Sequence, residues 1–118
     1  MPETIQHYLP LTEATFYVLL SMAVERKHGY AILKDVEALS QGQIVLSTGT
    51  LYGALSRMQD QGLIEPVEAE DPEETGRPRK FYLPTRLGRD VLEAETRRLQ
   101  ALVGIARQRL AQSGAARS

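Results

Sequence analysis

The sequence of 118 residues contains no cysteine, no tryptophan and only two histidines. Without cysteine the chain can form no disulfide, no thiolate metal site and no thiol nucleophile, as is usual in a reducing cytoplasm. The histidines, His7 and His28, lie far apart in the sequence and cannot hold a metal ion by themselves. The apolar run over residues 16–24 is short and is interrupted by Ser21. We therefore expect a soluble, cytoplasmic protein with no metal, cofactor, secretion signal or membrane partner.

The residue groupings of common catalytic sites are also missing. No glycine-rich phosphate loop follows a strand pattern, and no two histidines lie close together. The densest group of carboxylates, in residues 65–74, falls in a segment typical of a loop, where nothing would tune these groups for proton transfer. We therefore expect a protein that is not an enzyme.

Charge is distributed unevenly along the chain, although the formal net charge is only −1. Residues 1–64 hold four basic and six acidic side chains, residues 65–76 hold six acidic and no basic ones, and residues 77–118 hold ten basic and three acidic ones. Because a local basic patch is what attracts phosphate, a nucleic-acid partner is compatible with this total. A solvated acidic loop and an arginine-rich helix face would explain the same distribution without any partner.

Capping residues and apolar spacing predict two helices near the start of the chain. Thr12 is a candidate N-cap for a helix over residues 13–24. A second helix is expected to begin near His28 and Gly29 and to end before Gly42.

A third helix is predicted between Ser47, a candidate N-cap, and Gly62, a candidate terminator. Its apolar residues follow the i, i+3, i+4, i+7 spacing of one buried face. They are Leu51, Ala54, Leu55 and Met58.

The second half of the sequence predicts a small β-hairpin followed by a long helix. Residues 63–68 and 79–83 are short runs with β-branched or aromatic residues, separated by a mobile tip rich in proline, glycine and acids. Pro66 restricts its strand to the edge of a sheet. Thr85 is a candidate cap for a helix that ends at about Gln112.

This long helix carries an apolar stripe that so small a domain cannot cover. The stripe consists of Leu92, Leu99, Leu102, Ala106 and Leu110. Three helices, a hairpin and a long helix are the order of a winged helix-turn-helix with an added dimerisation helix, so the predicted fold is mainly α with a small β-hairpin. We expect residues 9–84 to form a DNA-binding domain, residues 85–112 to form the helix of a homodimer, and residues 113–118 to be a frayed tail.

The surface of the third helix is well suited to DNA. Gly49 and Gly53 lie roughly opposite its apolar face and would let the backbone approach a major groove closely. The helix N-terminus favours phosphate. Hydroxyl groups and one cation surround the glycines, at Thr48, Thr50, Tyr52, Ser56 and Arg57.

Four segments of the chain resemble the PadR-type transcriptional regulators. They read LTEATFYVLLSMA, HGYAILKDVE, GTLYGALSRMQDQGLIE and GRPRKFYLPTRLGRDVLEAE, and they occur in the order and spacing typical of that family. The resemblance spans about residues 9–106. A single C-terminal helix is similar to the small branch of the family.

The resemblance implies a homodimeric regulator, usually a repressor, that binds an inverted-repeat operator in double-stranded DNA and is released by a small molecule. The family's DNA contacts would fall on Gly29, Tyr30, Ser47, Thr48, Thr50, Tyr52, Arg77, Arg79 and Lys80. The sequence at the end of the wing departs from the family, because Leu83-Pro84-Thr85-Arg86 stands where Arg-Leu-Thr-Pro is common. That departure predicts a different geometry for the exit from the second strand.

Each candidate also has a purely structural explanation. The Tyr52 ring could pack on the hairpin, Thr50 and Ser47 could serve only the helix cap, and Tyr30 could be half core and half surface. His28 is more typical of a capping or surface residue than of a ligand. Lys34 is a further candidate phosphate neighbour, but it could equally be an ordinary surface residue.

Two interpretations of the whole chain stay open at this point. A regulator would bind random duplex DNA with a steep salt dependence, whereas a winged-helix protein–protein adaptor would bind none even at low salt. A small aromatic effector would have to use aromatic residues near the first helix. The candidates are Tyr8, Phe16 and Tyr17, and these residues are as typical of a hydrophobic core as of a ligand site.

Overall fold

The computed structural model describes residues 3–71 and 74–117, and it confirms the mainly helical winged helix-turn-helix fold. Four helices precede or interrupt the strands, and a long helix follows them. The elements are α1 (Glu3–Gln6), α2 (Glu13–Ser21), β1 (Lys27–His28), α3 (Gly29–Leu39), α4 (Thr48–Asp60), β2 (Ile64–Asp71), β3 (Glu74–Pro84) and α5 (Arg86–Arg117).

Local capping explains where the helices of the first half begin and end. The Thr12 hydroxyl accepts a hydrogen bond from the backbone N–H of Thr15 at 3.2 Å, at the start of α2. At the end of α4, Gly62 has a φ of +78°, and the N–H of Leu63 donates to the carbonyl of Met58 at 3.0 Å. This is the Schellman arrangement, which a glycine in the left-handed region makes possible. The predicted cap and terminator are confirmed.

The sheet has three strands, in the order β1-β3-β2, where a two-stranded hairpin was predicted. Lys27 pairs with Tyr82 and His28 with Phe81 in antiparallel register. The sequence does not reveal β1, because two residues are too short to show an alternating pattern. Pro66 lies on β2, which is an edge strand as predicted.

Several boundaries differ from the prediction. The wing strands are longer than predicted, and the predicted mobile tip includes residues 72–73, which lie outside the described residues. Helix α2 ends at Ser21 instead of residue 24. Helix α5 continues to Arg117, past the predicted end at Gln112; of the predicted frayed tail, residues 113–117 are helical and residue 118 is outside the described residues. No helix in residues 3–71 and 74–117 combines the length and the hydropathy needed to cross a membrane.

A single core joins the helices to the base of the sheet. Its largest fully buried side chains come from α2, α3, α4 and the segment that leads into β2: Leu19, Met22, Ile32, Leu51, Leu55, Met58, Leu63 and Ile64. The first turns of α5 close this core with Val91, which is fully buried, and Leu92, which is 8% exposed. The prediction that Leu92 has no partner within the chain is therefore wrong, because the start of α5 packs on its own domain.

Two of the contacts that hold α5 against the rest of the chain are made by Gly88 and Glu95. The backbone of Gly88 lies directly on Leu63, so that a Cβ built at Gly88 would be 1.9 Å from the Leu63 carbonyl oxygen. Thr85 caps the helix as predicted, since its hydroxyl accepts from the N–H of Gly88 at 3.0 Å.

The second contact involves Glu95, which is almost fully buried on α5. Its carboxylate accepts hydrogen bonds from the Arg98 guanidinium and, at 2.7 Å, from the backbone N–H of Leu11, next to the start of α2. The hydrogen bond from Arg98 lowers the pKa of Glu95, with a smaller contribution from Leu11, against the effect of burial. Glu95 therefore holds α5 to the entrance of α2 as an ionised group.

Replacing Glu95 with Gln is expected to lower the free energy of unfolding by about 1–3 kcal/mol at pH 7, because the charged acceptor is removed. A carboxyl whose pKa is lowered by folding stabilises the fold above its unfolded pKa, and that stabilisation is lost as the pH falls through the folded pKa. The difference between wild type and variant should therefore shrink as the solution becomes more acidic than about pH 4. Urea unfolding at fixed protein concentration measures it. Glu93→Gln is the matched control, because Glu93 is exposed and pairs only at 3.8 Å with Arg97. A pH-independent difference would contradict the assignment.

Candidate nucleic-acid interface

The outer face of α4 carries two glycines, which have no side chain. Gly49 and Gly53 lie on the side opposite the buried Leu51 and Leu55, and a Cβ built at either glycine would meet no atom within 4 Å. A glycine inside a helix costs about 1 kcal/mol relative to alanine. No neighbour among the described residues requires these two glycines, so the space beside them is open.

The hydroxyl residues at the start of α4 form its cap. The Ser47 hydroxyl accepts from the N–H of Thr50 at 3.1 Å and donates to the Thr50 hydroxyl at 2.8 Å. Ser47, Thr48 and Thr50 are all exposed. The capping role predicted for Ser47 is confirmed, and these hydroxyls stay accessible to a ligand at the helix N-terminus.

Tyr52 packs across the beginning of α3 and is still 48% exposed. A Cβ built at Gly29 would be 2.3 Å from the Tyr52 hydroxyl oxygen, so the tyrosine lies directly on the glycine backbone. Burial raises the pKa of Tyr82 on β3, and the nearby Tyr52 raises it further. Tyr52 therefore packs against the start of α3 while about half of its side chain stays exposed to solvent.

The wing brings its cations to the same place. The Arg79 guanidinium lies 3.0 Å, from Nη1 to Nε2, from the imidazole of His28. The Lys80 ammonium lies 5.9 Å from the centre of the Tyr82 ring, and Arg77 is exposed further along β3. A cleft of about 190 Å³ results, which we call the α3–wing cleft; it is lined by His28, Gly29, Tyr30, Tyr52, Arg79 and Lys80.

Lys34 and Arg57 are not among the residues that line this cleft. The Lys34 ammonium lies 5.2 Å from the centre of the Tyr30 ring, one turn further into α3. Arg57 is on the second half of α4 and lines a different cleft, with Tyr8 and Gln61. Of the predicted contacts, Arg57 is the one that the fold places furthest along α4 from its N-terminus.

Sequence reasoning missed Arg26. Its guanidinium lies 5.0 Å from the centre of the Phe81 ring, on the wing strand that also carries Arg79. The cation is brought there by β1, which was not predicted. A run of two cations and a histidine, Arg26 to His28, is the signal that could have pointed to it.

Three acidic side chains of the wing lie on the strand further from α3. Glu65, Glu68 and Glu70 are exposed on β2, which is separated from β1 by β3. Glu68 is paired with Lys80 across the two strands. The strand order therefore puts the acids on the far side of the cations as seen from β1.

The second half of α5 leaves the domain. Every residue from 101 to 114 is exposed, including Leu102 at 49% and Leu110 at 71%. A groove of about 440 Å³ runs beside it, which we call the α5 groove; it is lined by Phe16, Thr96, Leu99, Gln100, Val103, Gly104 and Arg107.

The three aromatic effector candidates do not come together in one site. Phe16 lines the α5 groove, and Tyr17 meets the Phe16 ring edge-on at 6.3 Å. The Tyr8 hydroxyl donates to the carbonyl of Gln61 at 3.1 Å, in the separate cleft that contains Arg57. Among the described residues no three His, Asp or Glu side chains are grouped so as to hold a metal ion.

Solved structures share this fold. A PadR family transcription regulator from hypervirulent Clostridium difficile superposes with a TM-score of 0.69 at 25% identity, over 84% of this chain and 99% of that one. The PadR of Bacillus subtilis, solved in complex with operator DNA, superposes with a TM-score of 0.58 at 19% identity, over 68% of this chain and 44% of that one.

Sequence comparison agrees with the fold. An uncharacterized 37.1 kDa protein in a transposon of Streptomyces fradiae is 39% identical over 92 residues, which are 78% of this chain. The chain spans only 24% to 31% of the length of the curated relatives it matches. The Transcriptional regulator PadR-like family model matches residues 18–94, which contain the core and the α3–wing cleft. The chain therefore belongs to the PadR-like family of transcriptional regulators, which are not enzymes.

Proposed function

We propose that this protein is a homodimeric, sequence-specific regulator that binds double-stranded DNA in the cytoplasm. The observation that carries the proposal is the α3–wing cleft, where the start of α3 and Tyr52 of α4 meet the cations of β3. Helix N-termini and basic side chains both favour phosphate oxygens. The operator complex of the Bacillus subtilis relative supports the same use of the fold.

In this proposal α4 enters the major groove with its glycine face toward the bases. Thr50 and Tyr52 flank Gly53 on that face and offer hydroxyl groups to base edges or phosphates. The open space at Gly49 and Gly53 allows the backbone to come closer than any side chain would permit.

The change Gly53→Ala should separate folding from DNA binding. Alanine is the better helix former, so urea unfolding should show a gain of about 0.5–1 kcal/mol. An added methyl at a close-packed interface costs about 1–3 kcal/mol, or about 5- to 100-fold in affinity. Titration of operator DNA measures the weakening. The control is Gly114→Ala on α5, where a Cβ also meets no atom within 4 Å. Unchanged affinity in Gly53→Ala would place α4 outside the groove.

The wing supplies the sequence-independent part of the binding. Arg77, Arg79 and Lys80 lie on one strand, and β3 is the strand that directly neighbours β1 and the start of α3. Cations in this position suit the phosphate backbone beside the groove that α4 occupies.

Replacing Arg77, Arg79 and Lys80 together with alanine tests the proposed function. Affinity for every duplex should fall by a similar factor, and the plot of log affinity against log salt should flatten by roughly 0.9 for each phosphate that the variant no longer neutralises. Fluorescence titration at several salt concentrations gives the slope. Arg97→Ala, which removes a cation from α5, should leave it unchanged. If the wild type binds no duplex at low salt, the protein is an adaptor instead.

Homodimerisation completes the proposal. Of the remaining stripe, Leu102, Ala106 and Leu110 are left exposed by this chain and Leu99 is half-buried, and a second copy of the same helix would bury them. A two-fold dimer presents two α4 helices, so the operator should be an inverted repeat with half-site centres about 10 base pairs apart. In this division residues 9–84 bind DNA, and the helix over residues 85–112 dimerises while its first turns still belong to the core.

The variant Leu102→Glu should shift the protein toward monomer, since burying a leucine is worth about 1.5–3 kcal/mol and a buried unpaired charge is costly. A monomer loses the gain from two linked half-sites, so operator affinity should fall about 100-fold or more. Light scattering and operator titration measure the two effects. Ala101→Glu, on the side of α5 opposite the stripe, is the control. A Leu102→Glu protein that stays dimeric, or a monomer with wild-type affinity, would contradict this interface.

The most detailed part of the proposal is that the protein represses transcription and is released from DNA by a small aromatic effector. The α5 groove has the size of a small-molecule site, and Phe16 offers it an aromatic ring. Because the groove lies between α2 and the dimerisation stripe, a ligand there would alter the angle between the two DNA-binding domains. Tyr17 would act through its contact with Phe16, whereas Tyr8 belongs to the other cleft.

A further inference from the structure

The imidazole of His28 contacts two parts of the DNA-binding unit at once. Its Nδ1 lies 3.3 Å from the backbone nitrogen of Ala31, at the cap of α3, and its Nε2 lies 3.0 Å from Nη1 of Arg79. The ring also meets Phe81 edge-on, with 5.7 Å between the ring centres. One side chain therefore joins the start of α3 to the wing strand.

The donor and acceptor roles of the two ring nitrogens decide which of these two hydrogen bonds is favoured. A guanidinium only donates, so Nε2 has to accept in the contact with Arg79, and the hydrogen of the neutral ring is then on Nδ1. The cap contact with Ala31 requires an acceptor at Nδ1, and a neutral imidazole has only one acceptor nitrogen. The two contacts therefore alternate. The contact with Arg79 is the shorter one and is charge-assisted, which favours it.

The contact with His28 is compatible with DNA binding by Arg79. A guanidinium has five N–H groups, so a contact through Nη1 is compatible with phosphate contacts through the others. An arginine side chain loses much rotational freedom when it binds, and a side chain that is ordered beforehand loses less. The imidazole thus orders Arg79 at the edge of the α3–wing cleft.

We infer that His28 is a positioning residue for DNA binding: it holds the Arg79 guanidinium in the orientation that contacts phosphate. This inference rests on the proposed function, since it requires Arg79 to be a phosphate contact. Removing the imidazole should leave the charge of the wing in place and weaken binding, because the contact that orients Nη1 of Arg79 is lost.

The test compares the full-length variants His28→Asn, Arg79→Ala and the double variant. Asparagine is a favourable N-cap, so His28→Asn keeps an acceptor for α3 and removes the imidazole, with its reach to Arg79 and its edge-on contact with Phe81. The probe is a mixed-sequence duplex of about two helical turns, or 20–24 base pairs. His7→Asn is the matched control, because His7 lies outside the α3–wing cleft.

Arg79→Ala should weaken binding about 10-fold and His28→Asn about 3- to 10-fold, with an unchanged unfolding midpoint. The double variant should bind no more weakly than Arg79→Ala, since without the guanidinium nothing is left to position. If His28→Asn binds as wild type while Arg79→Ala is weakened, the positioning role is wrong and the proposed function stands. If Arg79→Ala itself binds as wild type, the wing contact of the proposed function fails. Fully additive effects would show that His28 acts independently, and would also overturn the inference.

A second measurement uses the wild-type protein, so it does not depend on whether a variant folds. The ¹⁵N chemical shifts of the His28 ring, recorded where the imidazole is neutral, distinguish its tautomers. The inference requires the hydrogen on Nδ1, both in the free protein and in the duplex complex. A hydrogen on Nε2 in the complex would overturn it.

Discussion

The contact between the Tyr52 side chain and the backbone of Gly29 is the constraint on which the proposed DNA-binding surface depends. A Cβ at Gly29 would lie 2.3 Å from the tyrosine hydroxyl oxygen, so the glycine lets the Tyr52 side chain lie on the start of α3 without being displaced. The approach brings Tyr52 near Tyr82 of the wing, and burial there raises the pKa of the Tyr82 hydroxyl. The HGY and TLY segments of the sequence are therefore two sides of one packing contact. Three elements that are distant in sequence meet around this contact, and they form the α3–wing cleft, which in the proposed function binds phosphate.

Local signals were enough to predict α2, α3, α4 and α5, although not the short α1, whereas contacts between distant residues were not predictable. Ser47 and Gly62 act on atoms a few residues away, so their capping roles could be inferred from sequence. Strand β1 exists only because it pairs with β3, more than 50 positions later, and its two residues carry no periodic pattern. The role of Glu95 was hidden for the same reason, since its bond to Leu11 spans 84 positions. Helical spacing placed Leu92 on the correct face of α5, but it could not say where along that face the domain ends.

Helix α5 combines two environments in one rigid rod. Its first turns are locked to the domain by Gly88, by Leu92 and by the buried carboxylate of Glu95. Its later turns lie outside the domain, and an isolated helix of that length is only marginally stable in water. Packing against a second copy would supply the missing burial. Because the rod is continuous, the distance between the two α4 helices of such a dimer would be set by where α5 is locked. The α5 groove lies next to that lock, which is why a ligand there could affect operator binding without touching DNA.

The arrangement of charge in the wing bears on specificity more than on affinity. Non-specific DNA binding is almost entirely electrostatic, and the net charge of this chain is −1. Glu68 lies across from Lys80 on the neighbouring strand, so the field of that cation is partly cancelled at long range and remains effective only in close contact. A duplex that fits α4 brings its phosphates close to the wing, whereas a poorly fitting duplex does not. In the proposed function, the acidic strand β2 would therefore lower affinity for random DNA more than affinity for the operator. Since a regulator must find its site among a large excess of non-specific sequence, the ratio between these two affinities is the quantity that such a wing improves.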